Sequence, residues 1–205
     1  MALSGQPSGT PGPKDQVVIK TTQSNRAVFL DRDGVLVVPE IRDGRSFAPR
    51  SLGTFRLYPD AAASLARLKA AGYLLVAVTN QPDIGNGIVS VDVVNEMHRL
   101  MALALPIDRI EMCPHSQSQG CDCRKPKPGM LMSAARECGI DLASSVMVGD
   151  RCSDVEAGRA AGCRTVFIDL DHVSEPKPAS PDFTVRCIAE AADVILGAMP
   201  NNRRA

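Results

Sequence analysis

Four residues of types that bind metal ions lie within the eleven positions 113–123. They form two alternating pairs, Cys113 with His115 and Cys121 with Cys123. Three thiolates and one imidazole complete the tetrahedral coordination of structural Zn²⁺ and leave no position for water. The spacing therefore predicts a structural zinc site whose metal helps to fold the loop. The alternative is a turn that carries these residues without a metal.

Two cations, Arg124 and Lys125, directly follow the last of these ligands. Pro126 and Pro128 stiffen the backbone beyond them and prevent an immediate helix. Positioned cations stabilise phosphoryl groups during transfer. The segment thus predicts a loop that a metal pins so that its charges lie over an anion, whereas a solvated charge pair is the alternative.

Two acidic pairs are candidates for the chemistry itself. Asp31 and Asp33 follow a short apolar run, and residues i and i+2 of an extended segment point the same way. Such carboxylates can hold Mg²⁺, or divide the roles of nucleophile and general acid/base; a turn that caps a helix is the alternative. Asp150, with Asp154 four positions later, forms a second acidic site, for which the alternative is an acid-bearing helix N-terminus.

Polar residues also end a second apolar run. Thr79 is followed by Asn80 and Gln81, and a hydroxyl with backbone N–H groups can bind a phosphoryl oxygen. An ordinary transition from strand to loop is the alternative. His98, in contrast, has no such cluster around it in the sequence, and we expect it to be structural or exposed within a helix.

The elements that position these residues alternate between strands and helices. Near-continuously apolar strands are predicted at 27–30, 73–78, 109–113, 146–148, 165–169 and 183–187. Helices are predicted at 59–71, from Ser90, and at 129–138, 154–161 and 188–198, with a hairpin or flap within 35–57 and a loop after Gln81. The pattern predicts the α/β class, with a doubly wound parallel sheet covered on both faces. Ligands bind at the carboxyl ends of such strands, so Asp31, Thr79, Cys113 and Asp150 should converge.

Size and composition narrow the class of protein. The 205 residues, 44% of them hydrophobic, predict a single domain over 25–200 after a disordered tail at 1–24. A net charge of zero, 3% aromatic residues and no Trp argue against nucleic acid as a partner. The longest apolar runs fall short of the ~20 residues that span a membrane. An odd count of seven cysteines favours a reduced cytoplasm, and without heptads or repeats a monomer is expected.

The order of these residues resembles the haloacid dehalogenase (HAD) superfamily of phosphatases over residues 26–170. The resemblance implies a Rossmann-like fold in which the first acid attacks phosphorus, the second is the acid/base, and the hydroxyl and the cation bind the phosphoryl group. It also implies Mg²⁺, bound by the first acid, the backbone carbonyl of the second, and the late acid. These roles fall on Asp31, Asp33, Thr79, Lys125 and Asp150. No large insertion follows Asp33 or interrupts 80–112, so a large cap domain is not expected.

The motifs Asp-Arg-Asp-Gly, Thr-Asn-Gln, Cys-Asp-Cys-Arg-Lys-Pro-Lys-Pro-Gly and Met-Val-Gly-Asp narrow the resemblance. They are similar to those of the D-glycero-D-manno-heptose 1,7-bisphosphate 7-phosphatases, and the related histidinol-phosphate phosphatases share most of them. Both families carry a zinc loop built from Cys-x-His and Cys-x-Cys. The resemblance implies that Arg124 and Arg151 recognise the substrate. Asn80 and Gln81 are also expected to bind it.

Two segments depart from the heptose pattern. That family usually carries Ser-Gly-Ile-Ala-Arg-Gly after Thr-Asn-Gln, whereas residues 82–87 read Pro-Asp-Ile-Gly-Asn-Gly and lack the basic residue. The five residues between His115 and Cys121 are closer to the histidinol-phosphate type, while Lys-Pro-Gly-Met at 127–130 favours the heptose type. We expect a Mg²⁺-dependent phosphatase that removes the 7-phosphate of the heptose bisphosphate through an aspartyl-phosphate. The alternatives are a histidinol-phosphate phosphatase, a phosphatase that acts on another sugar phosphate, or a zinc-stabilised binding domain without turnover.

Overall fold

The computed structural model describes Met1 and residues 24–171 and 176–198. Most of the predicted disordered tail, and the last two residues of the predicted domain, lie outside the described residues. The strands of the described part are β1 Ala27–Leu30, β2 Glu40–Arg42, β3 Arg45–Phe47, β4 Leu74–Asn80, β5 Arg109–Cys113, β6 Val146–Gly149, β7 Arg164–Ile168 and β8 Phe183–Val185. Its α-helices are α1 Ala61–Ala70, α2 Pro82–Gly85, α3 Val91–Ala104, α4 Gly129–Cys138, α5 Cys152–Ala161 and α6 Ile188–Ala198.

Six of these strands form one sheet in the order β5-β4-β1-β6-β7-β8, and every neighbouring pair is parallel. The chain runs outward from β1 to β5 on one side, and then returns to β6 on the other side of β1. The strand order therefore reverses between β1 and β6, where Leu30 pairs with Val148. In open α/β sheets, ligands bind at this reversal, outside the carboxyl ends of the strands.

Both faces of the sheet are covered, as the doubly wound prediction requires. Alternate residues of β1 enter different cores: Val28 and Leu30 pack into one, Ala27 and Phe29 into the other. The first core also contains buried residues of α1, α3 and α6, and the second contains buried residues of α4 and α5. All four β1 side chains are fully buried, which is why this strand reads as a continuous apolar run.

Local differences from the prediction lie at element boundaries and in one loop. Helix α1 begins at Ala61 rather than at Pro59, and α5 begins at Cys152 rather than at Asp154. The loop predicted after Gln81 contains the one-turn helix α2, because Pro82 presets a helical φ at its first position.

The connections that follow β1 and β4 contain small elements. The predicted hairpin forms from β2 and β3, which pair antiparallel. This hairpin and α2 are small elements, and the described part of the chain has no large cap domain. None of its helices is long and apolar enough to cross a membrane.

Candidate active site

A buried lysine lies at the centre of the carboxyl edge of the sheet. Lys125 Nζ is 2.6 Å from Asp31 Oδ1 and 2.7 Å from Asp154 Oδ1, and it donates a hydrogen bond of 2.8 Å to the Val78 carbonyl. Burial opposes its charge, but Asp154 and Asp31 outweigh this effect and raise the pKa of Lys125. The ammonium is therefore held charged between two carboxylates.

Asp31, Asp150 and Asp154 form a cluster of buried carboxylates. One oxygen of each lies within 4.8 Å of the others. Gly34 makes room for this cluster: a Cβ at this position would lie 2.3 Å from Asp150 Oδ2, and the φ of +100° also favours glycine. Clustered carboxylate oxygens are the ligands that Mg²⁺ prefers, so the donor set fits that ion.

The charge balance of the cluster raises the pKa of both Asp154 and Lys125, and the two shifts have opposite consequences for an ion pair. Burial raises the pKa of Asp154 to about 7, and Asp31 and Asp150 add to the rise against the opposing effect of Lys125. Taken alone, this shift favours a neutral carboxyl, whereas the raised pKa of Lys125 favours an ion pair. We favour the ion pair, because three carboxylates facing one ammonium leave negative charge for a divalent cation to balance.

The remaining polar residues of this edge are joined by two amide side chains. Gln81 Nε2 donates hydrogen bonds of 2.8 Å to both Asp33 Oδ2 and Thr79 Oγ1. The Asn80 amide donates to the Lys125 carbonyl and accepts from the Lys125 N–H, both at 3.1 Å. Asn80 thus fixes the backbone that carries the central lysine.

The four predicted zinc ligands converge beside this edge. His115 Nδ1 lies 3.2 Å from Cys123 Sγ and 3.5 Å from Cys113 Sγ, and Cys121 Sγ lies 3.5 Å from both other sulfurs. A tetrahedron with Zn–S bonds of ~2.3 Å has edges of roughly 3.8 Å, so these separations suit Zn²⁺.

Helix α2 packs directly against the zinc loop. A Cβ at Gly85 would lie 2.4 Å from the backbone nitrogen of Ser116 and 2.8 Å from the carbonyl of Pro114. The two backbones therefore meet without a side chain between them.

A cavity of about 410 Å³ opens over the carboxylates. Its lining includes Asp31, Asp33, Asn80, Gln81, Lys125 and Asp154. Arg124 and Arg151 also line it, and Arg124 Nη1 is buried without a hydrogen-bond partner among the described residues. The hairpin provides a further wall through Ser46 and Phe47.

Two contacts hold the hairpin and the segment after it over the cavity. Arg151 Nη2 donates a hydrogen bond of 2.9 Å to the Ser46 carbonyl. Arg50 Nε lies 2.7 Å from Asp83 Oδ2 on α2. The cavity is therefore enclosed by three connections: the hairpin, the α2 turn and the zinc loop.

Comparison with known proteins identifies the family. A family model described as HAD-hydrolase-like matches residues 122–191. The D-glycero-β-D-manno-heptose-1,7-bisphosphate 7-phosphatase of Pasteurella multocida is 36% identical over 185 residues, which are 84% of this chain and 97% of that protein. The enzyme of the same name from Vibrio cholerae is 42% identical over 69% of this chain and 80% of its own length. This chain belongs to the heptose-1,7-bisphosphate 7-phosphatase family.

Solved structures of this family have the same fold. The D,D-heptose 1,7-bisphosphate phosphatase of B. bronchiseptica, solved with magnesium and phosphate, superposes with a TM-score of 0.72 at 29% identity. The match covers 84% of this chain and 99% of that one. A HAD-like phosphatase from Mesorhizobium loti gives a TM-score of 0.65 at 26% identity. The predicted fold class and family resemblance are confirmed.

The sequence did not predict that Asp154 belongs to the carboxylate cluster at the active site. It was predicted as part of a second acidic site, but it was not named among the metal ligands or the catalytic residues. Its carboxylate lies over Gly149, where a Cβ would be 2.3 Å from Asp154 Oδ2, and it contacts Lys125. The carboxylate of Asp33 lies outside the three-carboxylate cluster and instead contacts Arg32 and Gln81.

Proposed function

We propose that this protein is a phosphatase that removes the 7-phosphate of D-glycero-D-manno-heptose 1,7-bisphosphate. The observation that carries the proposal is the Lys125 ammonium held between Asp31 and Asp154 at the reversal of the strand order, within a cavity of about 410 Å³. A carboxylate nucleophile, a fixed cation and further oxygen ligands are the requirements of phosphoryl transfer through a covalent intermediate. The family's name supports the choice of substrate.

The reaction proceeds in two displacements. In the first, an Asp31 oxygen bonds to phosphorus, the bond from phosphorus to the sugar oxygen breaks, and Asp33 gives its proton to that oxygen. In the second, Asp33 takes a proton from water as the water oxygen attacks the aspartyl-phosphate. Inorganic phosphate leaves, and both carboxylates return to their starting states.

Two residues of this chain hold the transferred group. Because Thr79 Oγ1 accepts from Gln81 Nε2, its hydroxyl proton remains available for a phosphoryl oxygen. Lys125 supplies a positive charge that burial keeps from being screened by solvent. Both groups lie at the edge of the sheet and need little reorganisation when the phosphoryl group enters.

Asp31, Asp150 and Asp154, together with the backbone carbonyl of Asp33, would hold Mg²⁺. When bound, this ion supplies positive charge that allows an anionic carboxylate to approach an anionic phosphate. Cys113, His115, Cys121 and Cys123 would hold a structural Zn²⁺. When Cys121 and Cys123 bind this ion, they would fix the turn that presents Arg124 and Lys125, the next two residues of the chain.

Arg124 and Arg151 are proposed to bind the part of the substrate that is not transferred. Both line the cavity, and a second phosphate is the group that guanidinium side chains recognise best. We further propose that the protein is a monomer and that it acts in the cytoplasm. The seven free cysteines support a reducing compartment such as the cytoplasm. Size-exclusion chromatography with light scattering tests the monomer.

The nucleophile is tested with Asp31→Asn, which keeps the shape of the side chain. Turnover is expected to fall by ~10³-fold or more, while the thermal midpoint stays near that of the parent. Asp92→Asn, an exposed position on α3, is the matched control and should retain full activity. Full activity in Asp31→Asn would contradict the mechanism.

The substrate is tested with a panel containing both anomers of the heptose bisphosphate and histidinol phosphate. Phosphorus NMR identifies which phosphate is released. Comparable kcat/KM for histidinol phosphate and the heptose bisphosphate would refute the substrate assignment, and the two-step mechanism would still stand. The short zinc loop is the observation that favours including histidinol phosphate.

A further inference from the structure

Arg32, between the two acids of the Asp-Arg-Asp-Gly motif, has no solvent exposure at all. Its Nε lies 3.1 Å from both carboxylate oxygens of Asp33, and its Nη2 lies 2.9 Å from Asp33 Oδ2. A guanidinium is costly to bury, and it is retained where its charge and its donors are matched. Here the charge is matched by Asp33, the residue that we propose as acid/base: Nε donates to its carboxylate, while Nη2 is close to it without hydrogen-bond geometry.

The other end of the guanidinium contacts α3. Arg32 Nη1 lies 3.1 Å from His98 Nε2. Because a guanidinium has donors and no acceptor, His98 Nε2 must accept, and the ring must be neutral with its proton on Nδ1. Burial, followed by the charge of Arg32, lowers the pKa of His98 to about 4, which agrees with a neutral ring.

Asp33 lies at the junction between this buried pair and the cavity. Its side chain is 14% exposed and lines the cavity, while the Arg32 side chain is 0% exposed. Gln81 Nε2 provides a further contact with Asp33 Oδ2, at 2.8 Å. The carboxylate is thus held in one orientation by donors that are themselves fixed.

We propose that Arg32 and His98 are positioning residues for Asp33. The neutral imidazole fixes the guanidinium, and the guanidinium fixes the carboxylate that exchanges protons with the leaving oxygen. The inference rests on the proposed function, in which Asp33 is the acid/base. Neither residue touches the substrate, and their effect on the reaction passes through the orientation of one carboxylate.

A positioning role differs measurably from a structural one. A displaced general acid slows the cleavage of an ester whose leaving group needs a proton, but hardly affects an activated ester. The value of kcat/KM reports the steps up to the first displacement, so it isolates this effect from the hydrolysis of the aspartyl-phosphate. The heptose bisphosphate and p-nitrophenyl phosphate are the two probes.

His98→Leu removes the acceptor, and His98→Gln keeps one. In His98→Leu, kcat/KM on the heptose bisphosphate is expected to fall roughly 10- to 100-fold, with a change within about threefold on p-nitrophenyl phosphate. His98→Gln should restore most of the loss. Val94→Ala, at a buried position one turn earlier on α3, perturbs the same helix and should show no difference between the esters.

Arg32→Lys is the second test if His98→Leu does not fold. It keeps the charge but cannot contact both Asp33 oxygens and His98, so the same selective loss is expected. Equal losses on both esters in these variants, or the same selective loss in Val94→Ala, would overturn the inference. Asp33→Asn separates the two claims: equal losses there would refute the acid/base role of Asp33, and the inference with it.

Discussion

Acidification should destabilise this protein through His98. Its pKa is lowered from 6.5 to about 4 in the folded chain, because the ring is buried and lies beside Arg32. Unfolding exposes the ring to water and returns its pKa to the ordinary value. Below pH 6.5 the unfolded state therefore binds more protons than the folded state, and stability is lost as the pH falls.

The size of the effect follows from the two pKa values. Protonation of the unfolded state alone costs about 2 kcal/mol of stability between pH 7 and pH 5, and roughly 3 kcal/mol by pH 4. The loss levels off once the folded state is also protonated. For a domain of this size, a loss of 2 kcal/mol lowers the thermal midpoint by about 4–8 °C.

The assay is urea unfolding of the parent and of His98→Gln across pH 4.5 to 7.5. Other groups also titrate in this range, so the quantity that isolates His98 is the difference in unfolding free energy between the two proteins at each pH. This difference should shift in favour of His98→Gln as the pH falls from 7 to 5, by about 2 kcal/mol. A difference that does not change with pH would refute the reasoning.

Three further predictions concern the metals and the cavity walls. Gly34→Ala forces a Cβ toward Asp150, so the Mg²⁺ concentration for half-maximal activity should rise roughly 10- to 100-fold; unchanged Mg²⁺ dependence would contradict this. Cys123→Ser should lower bound zinc and turnover together, because Lys125 follows two positions later, whereas Cys138→Ser, outside the cluster, should change neither; full turnover without zinc would refute the link. Arg50→Gln breaks a partly exposed ion pair to Asp83 and should raise KM up to about fivefold, the equivalent of ~1 kcal/mol, with kcat unchanged. A lower kcat at constant KM would show that the pair acts on chemistry instead.

The sheet and the convergence of its polar ends could be predicted because both depend on local patterns. Val28 to Leu30 and Val146 to Val148 are buried on both faces, and burial on both faces leaves a continuous apolar run in the sequence. The four zinc ligands could also be predicted from the sequence, because all of them lie within a single segment. Parallel strands then bring Asp31, Lys125 and Asp150 to one edge, whatever their separation in the chain.

The parts that could not be predicted depend on contacts between distant residues. An acid in the first turn of a helix, such as Asp154, is common for reasons of helix electrostatics, and its contact with Lys125 is visible only in three dimensions. Arg32 and His98 are 66 positions apart, and nothing in the local sequence of either indicates the other. Residues 82–85 were predicted as a loop because glycines mark turns, and a single helical turn is too short to show helical periodicity in the sequence.

The contact of Gly85 with the backbone of the zinc loop has a consequence for how the family can diversify. Where two main chains touch, neither can be displaced by repacking side chains. An insertion between His115 and Cys121 would have to be matched by a change in the turn after β4, and the family's usual segment does differ there, with Ala at the position of Gly85. Loop length on the two sides of the cavity should therefore covary among relatives, while the hairpin, joined through side-chain contacts, is free to change by itself.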